Sequence, residues 1–63
     1  MTIEDLYNIC DQMTIFTKCL IINSDRVVIA YNTKYMDLPV SATTFLIEHF
    51  RFMADDEVFI WVP

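Results

Sequence analysis

The C-terminal stretch RFMADDEVFIWVP, residues 51–63, determines which folds the chain can adopt. Two strongly apolar runs are separated by three consecutive acids, Asp55, Asp56 and Glu57, and this pattern is typical of two β-strands joined by a polar turn. Aromatic side chains alternate with other side chains along both runs. We therefore predict a hairpin with an acidic tip, whose last strand carries large apolar residues on both faces.

The two faces of that last strand cannot both be covered by one short helix. Phe59 and Trp61 lie on one face, and Val58, Ile60 and Val62 on the other. Apolar burial contributes about 25 cal/mol per Å², so aromatic side chains left in water forgo on the order of several kcal/mol. Either residues 41–47 fold over the second face, or a partner protein or a second copy of the chain covers it.

The N-terminal segment MTIEDLYNICDQM predicts an amphipathic helix over residues 3–13. Thr2 can cap its first turn, with Asp5 three residues later in a variant of the capping box. The apolar residues recur at helical spacing and form one stripe: Ile3, Leu6, Tyr7, Cys10 and Met13. We expect this helix to lie across a sheet.

A first hairpin is predicted from two runs rich in β-branched and aromatic residues, TIFTKCLII at 14–22 and RVVIAYN at 26–32. Asn23, Ser24 and Asp25 lie between them and supply turn conformations. The chain contains no glycine, and tight two-residue turns usually require one. A slightly longer turn is therefore expected.

The segment TKYMDLPVSATTFLIEHF, residues 33–50, has mixed signals. Pro39 restricts Leu38 to extended geometry, so no helix should cross this position. Ser41 can cap a short helix, although the threonines that follow also suit a strand. We predict a short helix or turn from Ser41 to about Ile47. The whole pattern predicts one α+β domain, residues 1–63, with an N-terminal helix packed on a small four-stranded, mainly antiparallel sheet.

Composition limits the classes of partner. The formal net charge is −5, and 56% of residues are hydrophobic, against about 45–50% in ordinary domains. So small a chain buries only roughly 60% of its unfolded surface, which favours a dense core or association. The charge argues against direct nucleic-acid binding and suits a basic or nucleic-acid-binding protein partner, unless it only keeps the chain soluble.

No cofactor, metal or membrane is expected. The cysteines Cys10 and Cys19 stand alone in apolar stretches, and His49 has no cysteine or second histidine near it in sequence. No apolar run reaches the roughly 20 residues that span a bilayer, and the N-terminus lacks signal-peptide features. We expect a cytoplasmic protein with free thiols.

Catalysis is not expected either. His49 is the only imidazole, no nucleophile elbow is present, and a glycine-free chain has no phosphate-cradling loop. A Cys–His pair with Cys10 or Cys19 would need an exposed thiol, and both positions are predicted to be buried. The chain is therefore predicted not to be an enzyme.

Interface residues are the better candidates for function. We predict Phe52, Phe59 and Trp61 as anchors, with the acidic tip giving orientation unless it is only a solvated turn. Tyr35 and Met36, in a polar loop before Pro39, are of types enriched at interfaces.

The layout also resembles a class of proteins. TIEDLYNICD (2–11), VVIAYN (27–32), DLP (37–39) and ADDEVFIWV (54–62) are similar in arrangement to very short, mostly uncharacterised proteins of bacteriophages and prophages. Small acidic members of that class include anti-CRISPR and other anti-defence inhibitors. The resemblance implies stoichiometric binding to a host nuclease complex such as CRISPR-Cas, in the host cytoplasm, and implies no catalytic residue. The alternative is a self-assembling structural protein, for example a homodimer.

Overall fold

The sheet is built from two hairpins that meet at its centre. The computed structural model describes residues 1–53 and 56–63. Its elements are α1 (Ile3–Ile9), β1 (Lys18–Ile22), β2 (Val28–Lys34), a 3-10 turn (Tyr35–Asp37), α2 (Val40–Thr43), β3 (His49–Met53) and β4 (Glu57–Trp61). The predicted α+β fold, with an N-terminal helix, four strands and a short helix before the last hairpin, is confirmed.

The strand order is β2-β1-β4-β3, and the sheet is mixed. The two outer pairings, β1 with β2 and β3 with β4, are antiparallel, while the central pairing of β1 with β4 is parallel. A parallel pair cannot be joined by a tight turn. The chain therefore crosses from one edge of the sheet to the other through the 3-10 turn and α2.

The start of α1 follows the prediction. The Thr2 hydroxyl accepts a hydrogen bond from the Asp5 N–H at 3.1 Å, and Asp5 accepts one from the Thr2 N–H at 3.0 Å, which together form a capping box. The helix ends at Ile9, however, and the predicted end at Met13 was wrong. The Met13 N–H donates a hydrogen bond to the Cys10 carbonyl and so closes a turn after the helix. This turn keeps the three-residue spacing of the predicted apolar stripe, and Met13 therefore still reaches the core.

The first hairpin has the longer turn that was expected. The Asn23 side-chain oxygen accepts hydrogen bonds from the N–H groups of Asp25 and Val27, at 3.0 and 2.9 Å. Arg26 closes the turn in the left-handed region, with φ at 62°. β1 begins at Lys18 and not at residue 14. The preceding residues form a turn in which Thr17 and Thr14 hydrogen-bond each other.

The crossover packs beside α1. Leu38 is extended, with φ −69° and ψ 137°, as Pro39 requires. α2 begins at Val40 after Pro39, and no side chain caps it, so the predicted Ser41 cap was wrong. Residues 45–47 then bond to the N-terminus, for example through Ile3 N–H to the Phe45 carbonyl at 3.1 Å. The segment 41–47 therefore does not cover the second face of the sheet.

One face of the sheet and α1 enclose the core. The register pairs Cys19 with Val58 and Ile21 with Ile60 across the central strands, and all four side chains are buried. α1 adds Ile3 and Leu6 to the same cluster. We call this side of the sheet the covered face, and the opposite side the open face.

Candidate functional site: the open face of the sheet

The centre of the open face is apolar. Side chains alternate between the two faces along a strand. Because Cys19 and Ile21 are buried on the covered face, Leu20 and Ile22 lie on the open face. In the parallel register Leu20 lies beside Phe59, and Ile22 lies beside Trp61. All four side chains are half-buried, because large neighbours shield one another. Among residues 1–53 and 56–63, α1 lies on the covered face and α2 contacts α1, so neither helix covers these pairs.

Aromatic rings continue from the centre towards β3. Phe59 and Trp61 approach edge to face, with ring centroids 6.3 Å apart and 66° between the planes. His49, which is paired with Trp61 in the register, lies at 5.0 Å with its ring tilted by 36°. Each ring thus packs against its neighbour at an angle. The row is held in place by these contacts and by the sheet.

The β2 side of the open face is irregular. The pairing of β1 with β2 shifts register between Cys19 and Ile21, and again between Ile21 and Ile22. Such bulges re-aim side chains at a sheet edge. Tyr31 is 75% exposed there. A cavity of about 210 Å³ opens at this point, and its lining includes Lys18, Leu20, Tyr31, Asn32, Glu57 and Phe59.

Basic residues lie at one end of the apolar centre and beside it on β3. Lys18 on β1 and Lys34 on β2 are register partners at one end of these strands. Arg51 on β3 is paired with Phe59 on β4. By alternation all three lie on the open face. The Lys34 ammonium also stands 5.9 Å from the Phe16 ring centroid, a cation–π distance. The strands contribute one acid to this face, Glu57, which lies beside Lys18.

The predicted anchors are divided between the two faces. Phe59 and Trp61 lie on the open face, and Glu57 lies there too. Phe52 is paired with Val58 and packs against the core from the covered face, with its ring 5.9 Å from that of Phe50. Of the acidic tip, Asp56 has a left-handed backbone with φ 58°, and Asp55 lies outside the described residues.

The predicted loop residues Tyr35 and Met36 lie at the other end of the sheet from Trp61. The Tyr35 N–H bonds to the Thr17 carbonyl at 2.9 Å, just before β1 begins, whereas Trp61 is paired with Ile22, where β1 finishes. Tyr35 is half-buried against the core, and burial, followed by the nearby Glu4 carboxylate, raises its pKa. Met36 is exposed.

Several open-face residues were not selected from the sequence. They are Lys18, Leu20, Ile22, Lys34, His49 and Arg51. Alternation along KCLII does separate Leu20 and Ile22 from Cys19 and Ile21, so this part of the signal was present in the sequence. Their contact with Phe59 and Trp61 depends on the parallel pairing of β1 with β4, which chain order does not reveal.

The two cysteines pack with the core of the molecule. Cys19 is buried in the core, its thiol points at the Thr17 carbonyl, and burial raises its pKa to about 11. Cys10 is half-buried, and both cysteines are free. Within the described ranges, no group of three or more His, Cys, Asp or Glu side chains is placed to hold a metal ion.

The comparisons with known proteins were negative. No family model, no curated protein and no solved structure matches the chain. None of the helices in the described part of the chain is both long and apolar enough to cross a membrane.

Proposed function

We propose that the chain is a protein-binding module that acts by stoichiometric contact through its open face. One observation carries this proposal: the side-by-side pairs Leu20 with Phe59 and Ile22 with Trp61 form an apolar centre over which neither described helix lies. A rigid sheet holds these side chains in place, so a partner gains apolar burial without first ordering the surface.

The size of a stable interface indicates how far the contact extends. A standard interface buries about 800 Å² on each partner, and the whole chain exposes 4240 Å². The partner must therefore cover roughly a fifth of this molecule. The central pairs alone are too small for that, so the contact includes the exposed β2 edge, where Val28, Ile29 and Tyr31 lie.

The resemblance to small phage proteins supplies a class of target for this proposal. A bacterial defence nuclease complex such as CRISPR-Cas would be inhibited by occlusion, which requires affinity and no catalytic group. The residues around Trp61 would supply this affinity by becoming buried against the complex, and no enzymatic turnover would be observed. The inhibitor would act in the host cytoplasm, one molecule for each site on the complex.

Self-assembly is the second candidate. It is favoured by the outer edge of β3. The five pairs of β3 with β4 follow a regular register without a bulge, and no other described strand pairs with the outer edge, which is therefore suitable for strand pairing. A homo-oligomer would appear in light scattering as a mass that grows with concentration. A monomer at high micromolar concentration would contradict this candidate.

The proposed function can be tested with Trp61→Ala and a matched control. Ile9→Ala removes a comparably apolar side chain that is 66% exposed on α1, away from the open face. Capture from a bacterial lysate should lose its partner with Trp61→Ala and retain it with Ile9→Ala, while circular dichroism shows both variants folded. Equal capture by Trp61→Ala and the unmodified chain would refute the proposal.

Tyr31→Ala provides a second variant if Trp61→Ala does not fold. Tyr31 is mostly exposed to solvent, so its truncation should change stability by at most about 0.5 kcal/mol. Because its side chain lines the open-face cavity next to Phe59, the partner should be captured less well. Unchanged capture by this variant would exclude the β2 edge from the contact.

A further inference from the structure

Most of the cationic residues of the chain lie on the open face of the sheet. Lys18, Lys34 and Arg51 are three of the four cationic residues in the chain, and all three lie on the open face. With Glu57, the strand residues of this face carry a formal charge of +2, although the whole chain carries −5. The acids Glu4 and Asp5 are on α1, on the other side of the sheet.

We propose that the open face binds an acidic protein surface, in which carboxylates lie next to an apolar patch. This inference rests on the proposed function and names the chemistry of its partner. The apolar centre would be buried by the patch, and Lys18, Lys34 and Arg51 would face carboxylates of the partner. Net charge alone suggests a basic partner, but the local field at an interface depends on the residues that face it.

A second copy of the chain fits this face poorly. Two open faces brought together would place Lys18, Lys34 and Arg51 of one molecule against the same cations of the other. Pairing of β3 with its own copy, centred on its middle residue, would put Arg51 directly opposite Arg51. Like charges directly opposite in adjacent strands are destabilising. The distribution of charge thus favours a different, acidic molecule.

Single-stranded nucleic acid is the other anionic class, and the geometry favours it less. Binding of bases without sequence preference uses aromatic rings whose flat faces are free for stacking. Here Phe59 and Trp61 are half-buried and pack edge to face, so neither presents an isolated flat ring. The aliphatic Leu20 and Ile22 fill the rest of the centre. These side chains suit apolar protein groups better than bases.

The test uses a random peptide display library selected on the immobilised full chain. Binders are eluted and retested against Trp61→Ala, so that only peptides that need the open face are kept. We expect these peptides to combine Asp or Glu with apolar residues. Their affinity is then measured by the fluorescence of Trp61, the only tryptophan, against Lys34→Gln/Arg51→Gln and against the control Asn8→Asp/Gln12→Glu. Both double variants change the net charge from −5 to −7.

The outcomes separate the two proposals. Loss of roughly tenfold in affinity for Lys34→Gln/Arg51→Gln, with little change for the control, supports the acidic partner. Peptides that need Trp61 but are neutral or basic overturn the acidic partner and leave the proposed function standing. If no peptide needs Trp61, the proposed function fails as well. Tight binding of oligothymidylate through Trp61, or a dimer that buries Trp61, also overturns the acidic protein partner.

Discussion

The phenol rings of Tyr7 and Tyr35 stack in parallel, with centroids 4.1 Å apart and 2° between their planes. Tyr7 belongs to α1, and Tyr35 begins the 3-10 turn after β2, so this stack joins the helix to the start of the crossover. The contact explains why Tyr35 is half-buried. As an interface candidate, Tyr35 therefore has a structural role inside the molecule as well.

Replacing Tyr35 by Ala should lower the free energy of unfolding by about 1–3 kcal/mol, because both the stack and the burial of a large ring are lost. Tyr35→Phe keeps the ring and serves as the control. Urea denaturation followed by circular dichroism measures both. Equal stability of Tyr35→Ala and Tyr35→Phe would show that the stack contributes nothing.

The thiol of Cys19 should react slowly in the folded protein. It is buried, and burial raises its pKa to about 11, so little reactive thiolate forms near neutral pH. Cys10 is half-buried and should be labelled first by a thiol reagent. Mass spectrometry of the partly labelled chain separates the two sites. Labelling of Cys19 at the rate of Cys10 would contradict its position in the core.

Because of the Cys19 thiol, the free energy of unfolding depends on pH in the alkaline range. The unfolded thiol has a pKa near 9.0, and the folded value is raised to about 11. Its contribution to stability is therefore complete below pH 9 and is lost as the pH rises from 9 towards 11, because only the unfolded chain ionises there. Cys19→Ala should remove this part of the pH dependence of the unfolding midpoint. A curve unchanged in Cys19→Ala would contradict the assignment.

Thr2→Ala should destabilise the chain by about 1 kcal/mol, since the variant loses the side-chain half of the capping box. Thr44→Ala is the control, because its exposed hydroxyl donates only to the Ser41 carbonyl and does not cap a helix start. In thermal unfolding, Thr2→Ala should have a lower melting temperature than Thr44→Ala. The same melting temperature for both would mean that the box has no energetic effect.

The two faces of the sheet predict different costs for the same truncation. Ile60→Ala on the covered face should cost about 2–5 kcal/mol, because it opens a cavity in the core. Ile22→Ala on the half-buried open face should cost clearly less, since solvent can fill the space. Chemical denaturation of the two isoleucine variants gives the comparison. A larger cost for Ile22→Ala would mean that the open face is packed inside the molecule.

Arg26 should be a site of stabilisation. Its φ of 62° lies in the left-handed region, which costs a residue with a Cβ about 1 kcal/mol. Arg26→Gly should therefore raise the free energy of unfolding by several tenths of a kcal/mol or more. Ser24→Gly, in the same turn but without a positive φ, should lower it. The opposite order in urea denaturation would refute this explanation.

Local signals predicted much of the fold. Thr2 with Asp5 marked the start of the helix. Asn23 marked the turn of the first hairpin, and Pro39 marked a position that no helix crosses. Each of these signals acts over a few residues, so the sequence contains it directly. The helix end was missed because Cys10 and Met13, three residues apart, fit a turn as well as a helix.

The candidate site was harder to predict because it depends on register. Phe52 and Phe59 both alternate correctly within their own runs, yet the hairpin register puts them on opposite faces. The grouping of Lys18, Lys34 and Arg51 requires all four strands of the sheet to be aligned at once. Such contacts join residues far apart in the chain, and composition reports only their total charge.

The place of β4 in the sheet has a consequence for biosynthesis. β4 is made after the other three strands of the sheet, yet it lies between β1 and β3. Until residues 57–61 emerge, β3 has no neighbour and β1 is paired only with β2, so a nascent chain can form one hairpin and no closed core. Folding must therefore wait for the last strand, and the apolar segments made earlier stay open to chaperones meanwhile.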